Sequence, residues 1–103
     1  SESSVQNMLK LYLLGAHQKV LSEVHEAKGR ADLVVNTDNR RIVFEFKYAK
    51  NETEAKTKLS EAVEQIKTRD YGNILPKKAE LIRIAAVFNA DPKVRAFTEF
   101  QLV

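Results

Sequence analysis

Arg40-Arg41-Ile42-Val43-Phe44-Glu45-Phe46-Lys47-Tyr48 is the stretch on which the fold turns. It is dense in β-branched and aromatic residues, which predicts a strand. Strand side chains alternate, so Val43, Glu45 and Lys47 share one face and Ile42, Phe44, Phe46 and Tyr48 the other. The aromatic face is suited to pack on a helix. The opposite face carries two charged groups near the end of an otherwise apolar strand.

The neighbouring segments follow from this strand. Asn36-Thr37-Asp38-Asn39 is a cluster of turn formers, and Ala31 to Val35 before it is short and apolar. The two apolar segments therefore make a hairpin folded about 36–39. Folding there returns Asp32 alongside Glu45, as a near cross-strand neighbour. Residues 19–26 alternate and predict one more strand, which Gly29 ends. Residues 3–15 place Val5, Met8, Leu9, Tyr12 and Leu13 on one helical face, with a serine to cap the start and Gly15 to stop it.

Downstream of the hairpin the period becomes helical. Ala55, Leu59, Ala62, Val63 and Ile66 form one stripe in a helix predicted over 52–71, and Gly72-Asn73 stops it. Leu81 to Phe88 is apolar except for Arg83, as in a strand covered on both faces. Val94 to Val103 alternates loosely and carries charges, which suits a sheet edge. The order is α-β-β-β-α-β-β, a mixed sheet with helices packed on it.

Composition narrows the function. The 103 residues fit a single domain spanning 1–103, and 44% hydrophobic residues allow a modest core. The absence of cysteine excludes disulfides, thiol catalysis and cysteine-ligated metals. His17 and His25 cannot by themselves fill a zinc site. The net charge of +3 is spread evenly, with no basic tail. The longest apolar run, from Met8 to Ala16, is broken by Lys10 and is neither a membrane span nor a signal peptide. A soluble, cytoplasmic protein with no membrane partner is the expectation. The chain begins at Ser1 without a methionine, which fits a processed or excised piece of something longer.

Asp32 and Glu45 held close together repel each other in a partly dry site unless a positive charge sits between them. Lys47 is one such charge. A divalent metal is another, and two carboxylates with open coordination positions suit Mg²⁺. A metal there lowers the pKa of a bound water and stabilises charge on a phosphate. An E-x-K triplet alone is a weak signal, because a chain with 30% charged residues contains such triplets by chance. Its setting inside an apolar strand, opposite an aspartate, is what lifts it above chance.

The set Gly29-Arg30-Ala31-Asp32, Glu45-Phe46-Lys47 and Gln65-Ile66 followed by Tyr71 resembles the PD-(D/E)xK nuclease superfamily. It is most similar to the branch found at the C-terminus of AAA-ATPase-like bacterial proteins. The resemblance runs from about Glu2 to Phe88. It implies a restriction-endonuclease-like α/β core and a metal-dependent nuclease. Asp32 and Glu45 would hold Mg²⁺ or Mn²⁺, and Lys47 would serve the attacking water. Gln65 matches the family's helix-borne glutamine, and Tyr71 a motif tyrosine more often structural than catalytic. Glu2 occupies the place of an acidic residue that assists the metal, or is simply an acidic residue of a helix's first turn. Alanine at position 31 replaces the family's proline. The implied partner is nucleic acid, DNA in first place, with a homodimer or attachment to a larger ATPase-containing protein as further expectations. Arg30 is either a phosphate contact or a turn residue paired with Glu26. Lys50, with Lys56 and Lys58, either lines a nucleic-acid path or belongs to a soluble helix face.

Overall fold

The computed structural model describes residues 20–21, 24–26 and 29–103. The helix expected over 3–15, and Glu2 with it, lies outside these residues. Seven strands and one helix follow in order: β1 (Val20–Leu21), β2 (Val24–Glu26), β3 (Gly29–Ala31), β4 (Leu33–Asn36), β5 (Arg40–Ala49), α1 (Glu52–Arg69), β6 (Glu80–Asn89) and β7 (Ala96–Leu102). A five-stranded sheet runs β1-β4-β5-β6-β7, and β2 and β3 form a separate pair. β5 and β6 are parallel, joined through α1, and the remaining pairs are antiparallel.

The single strand expected over 19–26 is described as two pieces. Val20 pairs with Val35, and Val24 pairs with Ala31. Four residues along one arm match four residues back along the other, so one register runs through both pieces. On the later arm, Asp32 stands between β3 and β4 outside the described ladders.

The β4–β5 turn falls where the turn formers place it. Leu33 lies opposite Phe44 and Asn36 opposite Arg41. The Thr37 N–H donates to the Arg40 carbonyl at 2.8 Å and closes the turn. α1 opens on Asn51, whose Oδ1 accepts the Glu54 N–H at 2.8 Å. Glu54 reaches back in turn to accept the Lys50 N–H at 3.3 Å. The predicted stripe faces the sheet, with Ala55, Ala62 and Ile66 buried and Leu59 and Val63 half-buried.

That sheet face is not the aromatic one. α1 packs on Val34, Val43 and Ala85, and further along on Ala49 and Val87. It therefore covers the face that carries Glu45 and Lys47. Among the described residues, the neighbours of the aromatic face of β5 come from its own sheet. Leu33, Phe46 and Ala86 form its buried part, with Phe44 and Phe97 against them. Phe44 stacks on Phe46 at 5.6 Å, Phe46 meets Phe97 at 5.8 Å, and Phe88 meets Phe97 edge-on at 5.4 Å.

β7 is the sheet edge, as its charges suggest, and its loose alternation has a cause. The register shifts between Val87 and Phe88, so Phe97 faces Phe88 while Phe100 faces Ala86. A bulge of one residue puts two phenylalanines three apart on the same face. Glu99 is left on the helix side, where it pairs with Lys56 at 3.4 Å. Lys58 pairs with Glu61 along the helix at 3.3 Å.

The segment after α1 is held by a residue that hydropathy reading passes over. Arg41 is buried, and its guanidinium donates to Asn36 Oδ1 and to the carbonyls of Gly72, Ile74 and Pro76, all within 3.0 Å. Four acceptors in one fork compensate the burial of its charge. The helix itself ends two residues before the predicted Tyr71. Asp70 turns left-handed at φ 50°, and its N–H bonds back to the Ile66 and Lys67 carbonyls. Gly72 follows at φ 84°, where an added Cβ would meet Leu81 Cδ1 at 2.6 Å and Val43 Cγ2 at 2.8 Å. Both the backbone angle and the space demand glycine. Gly72→Ala is expected to cost at least about 1–3 kcal/mol of stability, read as a lower urea midpoint with an unchanged slope. A midpoint equal to the wild type's would contradict this account of the turn.

Candidate active site

Three elements converge beneath α1. β5 supplies Glu45 and Lys47, the break before β4 supplies Asp32, and α1 supplies Gln65. The β4–β5 register carries Asp32 to the place opposite Glu45. The Asp32 N–H donates to the Phe44 carbonyl at 3.2 Å, while its Oδ2 accepts the Phe46 N–H at 2.8 Å. One carboxylate oxygen thus takes the place of a ladder carbonyl, and the carboxylate is fixed to the backbone of the strand it faces.

Glu45 is only 4% exposed, because α1 closes over its face of the sheet. Its Oε2 lies 3.5 Å from Lys47 Nζ, and its Oε1 is buried without a hydrogen-bond partner. Burial raises its pKa from an ordinary 4.5 to about 8. The Asp32 charge adds to that rise, and Lys47 opposes it without cancelling it.

Lys47 Nζ donates to Gln65 Oε1 at 2.8 Å, and Gln65 Nε2 donates to the Tyr71 hydroxyl at 2.8 Å. Arg69 Nη1 reaches the same hydroxyl at 3.4 Å. Tyr71 is wholly buried, and its hydroxyl titrates above its ordinary range, mainly through burial. Hydropathy reading gives Tyr71 no partner. Its contact with Gln65 depends on the left-handed turn at Asp70, which folds the chain back under the helix. Such a turn is not visible in periodicity.

The Arg30 backbone pairs with His25 in the β2–β3 ladder. Lys50 is exposed at the junction of β5 and α1, past the end of the strand that carries Lys47. An open groove of about 530 Å³ runs beside Gln65 and is lined by Ser60, Glu61, Glu64, Thr68 and Arg69.

The family whose sequence pattern matches this chain, over residues 1–98, is described as the PD-(D/E)XK nuclease superfamily. The chain belongs to that superfamily. No curated protein and no solved structure matches it. The mixed sheet with its crossover helix is the restriction-endonuclease-like core of this PD-(D/E)XK protein.

PD-(D/E)XK nucleases generally use divalent metal ions, and the residues present suit one. An orphaned buried carboxylate oxygen, a second carboxylate beside it and a glutamate forced toward its neutral form all describe a place short of positive charge. Hard oxygen donors are the chemistry Mg²⁺ and Mn²⁺ prefer. Among the described residues, no group of three or more acidic, histidine or cysteine side chains surrounds it.

Without metal, Glu45 sets a pH dependence of fixed sign. The unfolded chain ionises it near 4.5, whereas the folded protein keeps its proton to about 8. Its favourable contribution is complete below about pH 4.5 and is lost as pH rises to about 8. In EDTA, Tm should fall between pH 5 and 8, and Glu45→Gln should flatten that fall. An equal slope in the variant would show that another group carries it.

Proposed function

We propose that this protein is a metal-dependent phosphodiesterase that cleaves nucleic acid, in first place DNA. The pairing of a backbone-fixed Asp32 with a buried, under-compensated Glu45, and of Lys47 with Gln65, is the observation that supports the reading. Asp32 and Glu45 are the residues that would hold Mg²⁺ or Mn²⁺. When bound, such an ion supplies Lewis acidity toward a phosphoryl oxygen and a water of lowered pKa.

The chain's own residues do the rest. The Phe46 N–H keeps the Asp32 carboxylate aimed at the position opposite Glu45. Lys47 is half-buried, with its ammonium 3.5 Å from the Glu45 carboxylate. In that position it orients the attacking water and offsets negative charge that develops on the phosphate. Gln65 accepts from Lys47 and limits where the ammonium can point. Lys50 and Arg30 are the proposed phosphate contacts, and Glu2 the proposed third metal ligand. Contacts of this kind are to the backbone of the substrate and carry little sequence information. Target choice would then come from a second copy or from attachment to a larger ATPase-containing protein.

A second reading is a non-catalytic module that keeps the nuclease fold and binds nucleic acid or protein. The carboxylates of Glu61 and Glu64 favour it, because they line the groove beside Gln65 where a phosphate backbone would be repelled. Two measurements separate the readings. Plasmid, linear and single-stranded substrates should be cut in Mg²⁺ or Mn²⁺, with Asp32→Ala and Lys47→Ala each reducing the rate by at least about 100-fold. Cleavage that survives both substitutions is contamination. Calorimetric Mg²⁺ binding should be present in the wild type and lost in Glu45→Ala, whereas no binding at millimolar Mg²⁺ favours the non-catalytic module.

A further inference from the structure

We infer that Tyr71 is a positioning residue of the site. Its hydroxyl holds the Gln65 side-chain amide in the one orientation that presents a carbonyl to Lys47. For its catalytic consequence, the inference rests on the nuclease reading above.

The argument begins with what each group can do. An ammonium only donates hydrogen bonds, so Lys47 needs an acceptor. A glutamine amide offers an acceptor at one end and two donors at the other, and rotation about its last torsion exchanges them at little intrinsic cost. One orientation gives Lys47 a hydrogen bond, and the flipped one sets N–H groups against an ammonium. Lys47 alone favours the first orientation, but that preference weakens whenever the lysine turns toward a substrate. A second contact is needed to hold the amide in place at that moment.

Tyr71 supplies it. Its oxygen accepts Gln65 Nε2 at 2.8 Å on the side away from Lys47. Arg69, a group that can only donate, approaches the same oxygen at 3.4 Å. Two donors converge on the phenolic oxygen and keep its lone pairs in use as acceptors. The ring is anchored in the core with Val34, Val43, Ala62, Ile66 and Ala85, and the Tyr71 N–H is bonded to the Ile66 carbonyl at 3.2 Å. A rigid acceptor therefore fixes the amide, the amide fixes the ammonium, and the ammonium stands 3.5 Å from Glu45.

A tyrosine that merely fills the core would contribute its ring and not its hydroxyl, so Tyr71→Phe separates the two roles. In ¹⁵N-labelled wild-type protein, the Gln65 side-chain amide protons should exchange with solvent at least about tenfold more slowly than those of exposed Gln101. Equal exchange rates would overturn the proposal without any variant. In Tyr71→Phe the Gln65 protons should exchange at least about tenfold faster and shift, with the Mg²⁺ isotherm unchanged. Unmoved signals would overturn it as well. With plasmid substrate, Tyr71→Phe should lower kcat about tenfold and leave KM within about twofold. The same substitution in a Gln65→Ala background should change kcat by less than about twofold. Equal losses in both backgrounds would mean that Tyr71 does not act through Gln65. If the wild type cuts no substrate, the nuclease reading fails, while the exchange measurements still decide the orientation of the amide.

Discussion

The burial of the Glu45 carboxylate is the constraint around which this structure is arranged. An ionised carboxylate withdrawn from water beside a second one is unfavourable by several kcal/mol, and a single lysine 3.5 Å away does not compensate it, since the pKa still stands near 8. A fold selected for stability alone would place an apolar side chain there, as it does at Val43 and Ala49 on the same face. The neighbouring elements instead converge on this carboxylate. The β4–β5 turn returns Asp32 to it, α1 shields it, and the Lys47–Gln65–Tyr71 series fixes the charge beside it. Local disagreement with the rules of core packing of this kind marks a candidate functional site.

Much of this arrangement is legible in the residues, because it rests on short-range periodicity. Alternation puts Glu45 and Lys47 on one face. The turn cluster at 36–39 sets the hairpin register, and the observed pairing of Leu33 with Phe44 follows from it. The stripe from Ala55 to Ile66 fixes the inner face of α1, and therefore also brings Gln65 to its flank. The resemblance to the PD-(D/E)XK nucleases rests on the same residues, and the family match agrees with it.

What periodicity does not carry is the choice of face and the detail of chain reversals. An aromatic strand face suits a helix by hydropathy, but hydropathy does not say which helix takes which face, and α1 lies on the other side. The connection from β5 through α1 to a parallel β6 sets that side, and nothing in the local alternation records it. The left-handed turn at Asp70 and the bulge near Phe88 are each single-residue events. The first brings the Tyr71 hydroxyl to Gln65, and the second aligns Phe97 with Phe100. Arg41 escapes for another reason: its acceptors are mostly backbone carbonyls from a segment more than 30 residues away.

The two faces of β5 are therefore coupled by the strand's own geometry. A slip of one residue in its pairing would carry Glu45 and Lys47 to the aromatic side and drive Phe44 and Phe46 under the helix. Charges on a half-dry face resist such a slip only weakly, since their burial is unfavourable in the first place. The aromatic face resists it strongly. Phe44, Phe46, Phe88 and Phe97 interlock across three strands through contacts of 5.4–5.8 Å, and Leu33 and Ala86 fill the space between them. Aromatic pairs of this kind stabilise a register by about 0.5–1.5 kcal/mol each beyond the area they bury. The aromatic face thus holds the face that carries Glu45 and Lys47 in position. A carboxylate can stay buried and under-compensated at Glu45 because aromatic packing on the other side of the same strand opposes a change of register.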